Sequence, residues 1–212
     1  MNTLRILYHL ARADFLERVR RYSFLLSLGA TVFLGYTIAR GDFYLELEGY
    51  QGVFNSAWVG GMVSASTILI LSLFGFYLVK NAVNRDIQTG VGQIIATSPI
   101  SKQLYLLGKW LSNLAVLSTM VVVLALAAVV MQLLVGGVEQ IDLLKIFLPF
   151  VLLAIPAMAL VAALAVFFET ISWLRGGIGN ALYFFVWIFA IIVSQSSHII
   201  WLDWSGRAQE ML

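Results

Sequence analysis

Five stretches of this chain carry no charged side chain, and their lengths dictate its class. They run from Tyr22 to Ala39, Gly49 to Val79, Trp110 to Val138, Ile146 to Phe168 and Gly176 to Leu202, that is 18, 31, 29, 23 and 27 residues. About 20 apolar residues are enough to cross a hydrocarbon layer about 30 Å thick as a helix. Each run is therefore long enough to span a membrane once, give or take a turn. Strands are a poor alternative, because barrel strands alternate apolar and polar residues, whereas VVVLALAAVVMQLLV is apolar on every face. A helix in lipid satisfies its own backbone groups. The expectation is an all-α, polytopic transmembrane helix bundle with five spans, about 22–39, 55–79, 106–135, 146–168 and 177–201. Residues 1–212 then form a single transmembrane domain.

Composition agrees. The chain is 61% hydrophobic and 11% charged, with mean hydropathy +0.92, far from the quarter-charged average of soluble domains. The few charges carry orientation. With the N-terminus inside, the cytoplasmic side holds Arg5, Arg12, Arg18, Arg20, Arg21, Lys80, Arg85, Lys102, Lys109 and Arg175, ten of the 13 basic residues. The outer side holds Arg40, Lys145 and Arg207 among seven acids. Such an excess of Lys and Arg marks the cytoplasmic face, so the chain reads as a multi-pass protein of the inner (plasma) membrane with its N-terminus in the cytoplasm. The bilayer is its first partner. The basic pI of about 9.0 does not point to nucleic acid, because the charge is spread along membrane boundaries. There is no cysteine, which leaves disulfides and thiol chemistry out.

Before the first span, Leu4, Leu7, Tyr8, Ala11, Phe15 and Val19 fall on one helical stripe, beside Arg5, His9, Arg12 and Arg20. That spacing predicts an interfacial helix. Asp14 and Glu17 in so long a leader argue against a cleaved signal peptide. Between Arg40 and about Val53 lies a short acidic connection, a loop or a small surface helix. In the second span Gly60, Ser64 and Ser72 recur at multiples of four, a small-residue face suited to close helix packing. The polar stretch from Asn84 to Lys109 combines Arg85, Asp86, two glycines and apolar Ile94 and Ile95. Since proline disfavours helix in the residue before it, Ser98-Pro99 predicts a helix from about Asn84 to Thr97. Lys109 is placed to snorkel toward the interface, and Pro156 should kink the fourth span.

Chemistry is sparse. His9 and His198 fall on opposite faces, and no HExxH pattern or cysteine cluster is present, so no metal site is expected. Gly90-Val91-Gly92 is followed by Ile95 where a dinucleotide loop wants glycine, and no GxxxxGK[ST] occurs. No cofactor is expected. A carboxylate at a helix centre costs roughly 2.5 to 3.5 kcal/mol on insertion scales and so marks ion paths, yet none of the five runs holds one. Glu169 comes nearest, at a membrane boundary with Arg175 as a local partner, and reads as structural. No catalytic residues are expected.

From Arg85 to Lys109 the order is Asp86, Gly90, the aliphatic pair Ile94 and Ile95, Ser98-Pro99, basic Lys102, then Gly108-Lys109. This order, between the second and third spans and behind an amphipathic leader, resembles the permease subunits of ABC transporters of the type-two exporter class. The resemblance implies a membrane-spanning permease subunit of an ATP-driven exporter, paired with a second permease half, either a second copy or a homologous chain. ATP hydrolysis would lie in a separate cytoplasmic ATP-binding cassette subunit. It further implies that the inner segment is a coupling helix docking that ATPase, with Arg85, Asp86, Gly90, Gln93, Ile94, Thr97, Pro99 and Lys102 in the coupling region. Permease halves of this class have six spans, so the fifth span ending in polar WLDWSGRAQEML reads as the N-terminal portion of a longer permease. A non-transporting membrane scaffold or assembly subunit is the alternative that the same spans permit.

Overall fold

The computed structural model describes residues 3–39, 55–90, 92–93, 97, 100–135 and 141–209. Among them there is helix and no strand. In chain order the helices are α1 (Thr3–Val19), α2 (Tyr22–Ala39), α3 (Ser56–Val79), α4 (Ala82–Gln88), α5 (Lys102–Val135), α6 (Leu143–Pro149), a π-helical turn (Phe150–Ala154), α7 (Ile155–Thr170) and α8 (Gly177–Gln209). Four helical stretches are long and apolar enough to cross a membrane: Ser56–Gln88, Lys102–Leu134, Leu143–Thr170 and Gly177–Ser194. Helix α2 occupies the first apolar run; its apolar stretch with described side chains, Phe24–Phe33, is shorter. The acidic connection expected between about Arg40 and Val53 lies outside the described residues.

Helix α5 is the axis, touched by α1, α2, α3 and α7. Val116, Leu117, Met120 and Leu124 from α5 meet Phe76 of α3 and Met158 and Ala162 of α7 in the core. In lipid, apolar burial adds little drive to helix association, so backbone proximity matters more. Gly60 shows it: a Cβ there would lie 2.7 Å from the Cα and carbonyl oxygen of Ile146. The small-residue face of α3 therefore seats α6. Ser72, on the same predicted face, turns to α8, accepting from the Trp187 indole at 2.8 Å while its carbonyl accepts from Tyr183 Oη at 2.6 Å. Helix α8 is peripheral, with 11% of its apolar stretch buried against 39% to 44% in the other three.

The irregularity in the stretch Leu143–Thr170, expected from sequence as the fourth span, sits one turn ahead of Pro156. Pro156 has no N–H for the preceding turn, and the chain adapts by widening to a π turn in which the Ile155 amide bonds back to Phe150 O. Proline then begins α7 in the first-turn position where a missing donor costs nothing.

Candidate functional site

The predicted coupling segment departs from its expected bounds. Helix α4 spans Ala82–Gln88, not Asn84 to Thr97. At its start Lys80 is extended and Asn81 is left-handed at φ 78°, a conformation that asparagine tolerates better than most residues. At its end Gly90 adopts φ 77°, the helix-terminating geometry that glycine permits without strain. Gly92 follows closely, since a Cβ there would come within 3.3 Å of Asp86 O. Gly90 thus ends α4, and helical structure resumes at Gly92 and Gln93, with the Thr97 amide bonding to Gln93 O at 3.2 Å, so the expected single helix is broken at Gly90.

Glu169, at the end of α7, holds the start of α4. Its carboxylate accepts from the amides of Ala82 at 2.9 Å, Val83 at 2.5 Å and Asn84 at 3.2 Å. These are the first amides of α4, which have no partner inside the helix, and a carboxylate there also meets the positive end of the helix dipole. The side chain is fully buried. Arg175 is not its ion-pair partner, because its Nε donates to the Glu169 carbonyl at 3.1 Å. Lys80 braces the same corner, donating to Asn180 Oδ1 at 2.6 Å and to the carbonyls of Leu174 and Gly176.

A second tie joins α4 to α5 and α1. Lys109 does not reach to the interface; it is 1% exposed, with Nζ 2.6 Å from both Asp86 Oδ2 and Asp14 Oδ2. Two carboxylates in contact offset the cost of burying an ammonium, which would otherwise drive it toward water. Tyr105 Oη donates to the same Asp86 oxygen at 2.7 Å. Alongside, Gly108 leaves room for Leu10, and Arg18 donates to Asn113 Oδ1 and, at 3.4 Å, to Val79 O. Leu10, Asp14 and Arg18, spaced by four, thus form the face of α1 that meets α5. The predicted apolar stripe lies beside it, with Phe15 and Val19 against the core and Leu7 and Ala11 lining an apolar groove with Leu111 and Ala115. Glu17 completes the junction with Arg21 at 2.7 Å and Arg85 at 3.4 Å.

The eight residues implicated from sequence therefore divide. Asp86 is buried and Arg85 half-buried, both tied to neighbouring helices, and Gly90 shapes the helix end. Gln93, Thr97 and Lys102 are exposed. Ile94 and Pro99 lie outside the described residues. Beyond these, Ile87 is 54% exposed at the tip of α4, next to exposed Gln88 and Thr89. Sequence reasoning missed Asp14, Arg18, Asn113 and Glu169 as members of this junction. Their signal was the spacing of Asp14 and Arg18 by four beside a stripe already read as apolar. Among the described residues no group of three or more His, Asp or Glu side chains is placed to hold a metal ion.

Comparison with known proteins finds no family model that matches the chain and no curated protein that matches it.

Proposed function

We propose that the chain is the membrane-spanning permease subunit of an ATP-driven ABC exporter of the type-two class. In this reading it crosses the inner membrane five times with its N-terminus in the cytoplasm. A partner ATP-binding cassette subunit hydrolyses ATP, a second permease half completes the pathway, and α4 with the residues after it receives the ATPase. The reading rests on the resemblance of Arg85 to Lys109 to that class. The observation that supports it best is the division of α4 into an anchored base and an exposed tip. Its base is fastened by Glu169 and Asp86 to α7 and α5, while Ile87, Gln88 and Thr89 face outward. A motor can shift a two-state bundle only through contacts that differ between the states, and a rooted helix with a free apolar tip suits such a contact.

Site-directed cross-linking tests the reading. Cysteine at Gln88 or Gln93, exposed positions outside the ionic junction, should link to a co-expressed ATP-binding cassette protein encoded beside this chain, and nucleotide should change the yield. Asp86 is a poor probe, since its loss would break the bundle itself. If every exposed position from Ile87 to Lys102 fails to link while the protein stays folded, the scaffold reading takes its place.

A further inference from the structure

A cavity of about 450 Å³ opens beside the ionic junction, where α1, α2, α3 and α4 meet. Four cations line it, Arg18, Arg21, Lys80 and Arg85, and no carboxylate does. Two of the guanidinium groups are incompletely used. Nη2 of Arg18 and Nη2 of Arg85 are both buried without a hydrogen-bond partner, and Arg18 is only 5% exposed. A buried donor without a partner is costly, and more so when it is charged. Burial pushes the Arg18 guanidinium down to about 10, with Asp14 pulling the other way, so the neighbouring carboxylates do not fully compensate its charge. Glu17 is shared between Arg21 and Arg85, and Lys80 has only neutral oxygens as hydrogen-bond acceptors.

We infer that this cavity binds a phosphate group through Arg18 and Arg85. Paired guanidinium N–H groups match phosphate oxygens in geometry and charge. The rest of the wall favours an amphiphile, because Phe24, Tyr77, Leu78 and Val116 supply an apolar side continuous with the spans. A basic pocket between helices at the membrane boundary is the setting in which anionic lipid headgroups are held. The chemistry recognised is a phosphate ester whose negative charge no attached cation neutralises, and its source is either an anionic lipid of the adjoining leaflet or a soluble phosphate compound. The inference is independent of the ATPase reading, since it needs no partner protein.

The full chain in nanodiscs of phosphatidylcholine doped with phosphatidylglycerol provides the test, with retained lipid read by native mass spectrometry. The expected result is preferential retention of phosphatidylglycerol, falling about fivefold in Arg85→Gln and in Arg18→Gln. Arg12→Gln, which changes a basic residue of the same helix away from the cavity, should leave retention unchanged. Because Arg18 also bonds to Asn113, Arg21→Gln serves as a third variant at a partly exposed position, with a smaller fall expected. Competition by millimolar inorganic phosphate or glycerol 3-phosphate would identify a soluble source, and its absence would identify the bilayer. Retention equal for phosphatidylglycerol and phosphatidylcholine without phosphate binding, or a preference that survives Arg85→Gln and Arg21→Gln, would overturn the inference.

Discussion

The two ends of the bundle are fastened by different chemistry. At the basic end, charges from α1, α4, α5 and α7 are buried together, with Lys109 shared between Asp14 and Asp86 and with Glu169 closed on three amides. At the other end, a neutral hydroxyl is the hub: Ser56 Oγ accepts from Gln132 Nε2 at 2.8 Å and from the Asp142 amide at 3.0 Å. Among the described residues the other ties there are local, Asn55 accepting from Trp58 N and Asp142 from Leu144 N and Lys145 N, with an exposed Lys145–Asp142 ion pair at 3.2 Å. Neutral hydrogen bonds add about 1 kcal/mol each, while breaking one member of a buried ionic set costs several times more. The basic end should therefore move as one piece, and the opposite end should loosen in steps.

The strongest way to break this contrast is Lys109→Met, which leaves two carboxylates facing each other without a cation. A loss of about 3 to 5 kcal/mol is expected, measured as thermal unfolding in mild detergent. Adding Asp14→Asn and Asp86→Asn should recover much of that loss. If Lys109→Met alone is silent, the ionic end is not what holds α1 and α4. Next in size is Ser56→Ala, which orphans the buried Gln132 amide and should cost about 1 to 3 kcal/mol, with hydrogen exchange faster at Asp142 but not at Ala82 to Asn84. The smallest effect is acid release of the α6 cap. The side-chain hydrogen bond with Lys145 holds the Asp142 carboxyl below its ordinary 3.8. A lowered folded value means that the cap contributes above the unfolded carboxylate range and is lost as pH falls through the lower value. Protection of the Leu144 and Lys145 amides, taken relative to their intrinsic exchange, should hold at about pH 5 and fall only once pH drops below the ordinary carboxylate range; protection already lost at about pH 6 would contradict the assignment.

Helix positions were readable from the sequence because uncharged run length is a local property. The expected stretch 55–79 appears as Ser56–Val79, and the run from Tyr22 appears as a helix over Tyr22–Ala39. Helix α5 starts at Lys102, a turn before the expected start, because apolar content alone does not mark a polar first turn. The last helix continues through polar residues to Gln209 for the same reason. The junction was far less legible. Lys109 and Glu169 each sit just outside an uncharged run and Asp14 lies within the charged leader, so each resembles an interfacial charge when taken singly. The Asp14–Lys109 pair joins residues 95 positions apart, and only the packing of α1 on α5 brings it together, while Glu169 meets the α4 amides from more than 80 positions away. Gly90 was visible in the sequence, yet its role as a terminator depends on a positive φ that composition does not reveal.

The grip of Glu169 on the leading amides of α4 makes that short helix a strut and not a tassel. A push on its outer tip would pass through three hydrogen bonds into the end of α7, and α7 is joined at its far end to the widened turn Phe150–Ala154. The strut and the irregular turn thus lie at opposite ends of one helix, so a load on the first is carried along α7 to the second.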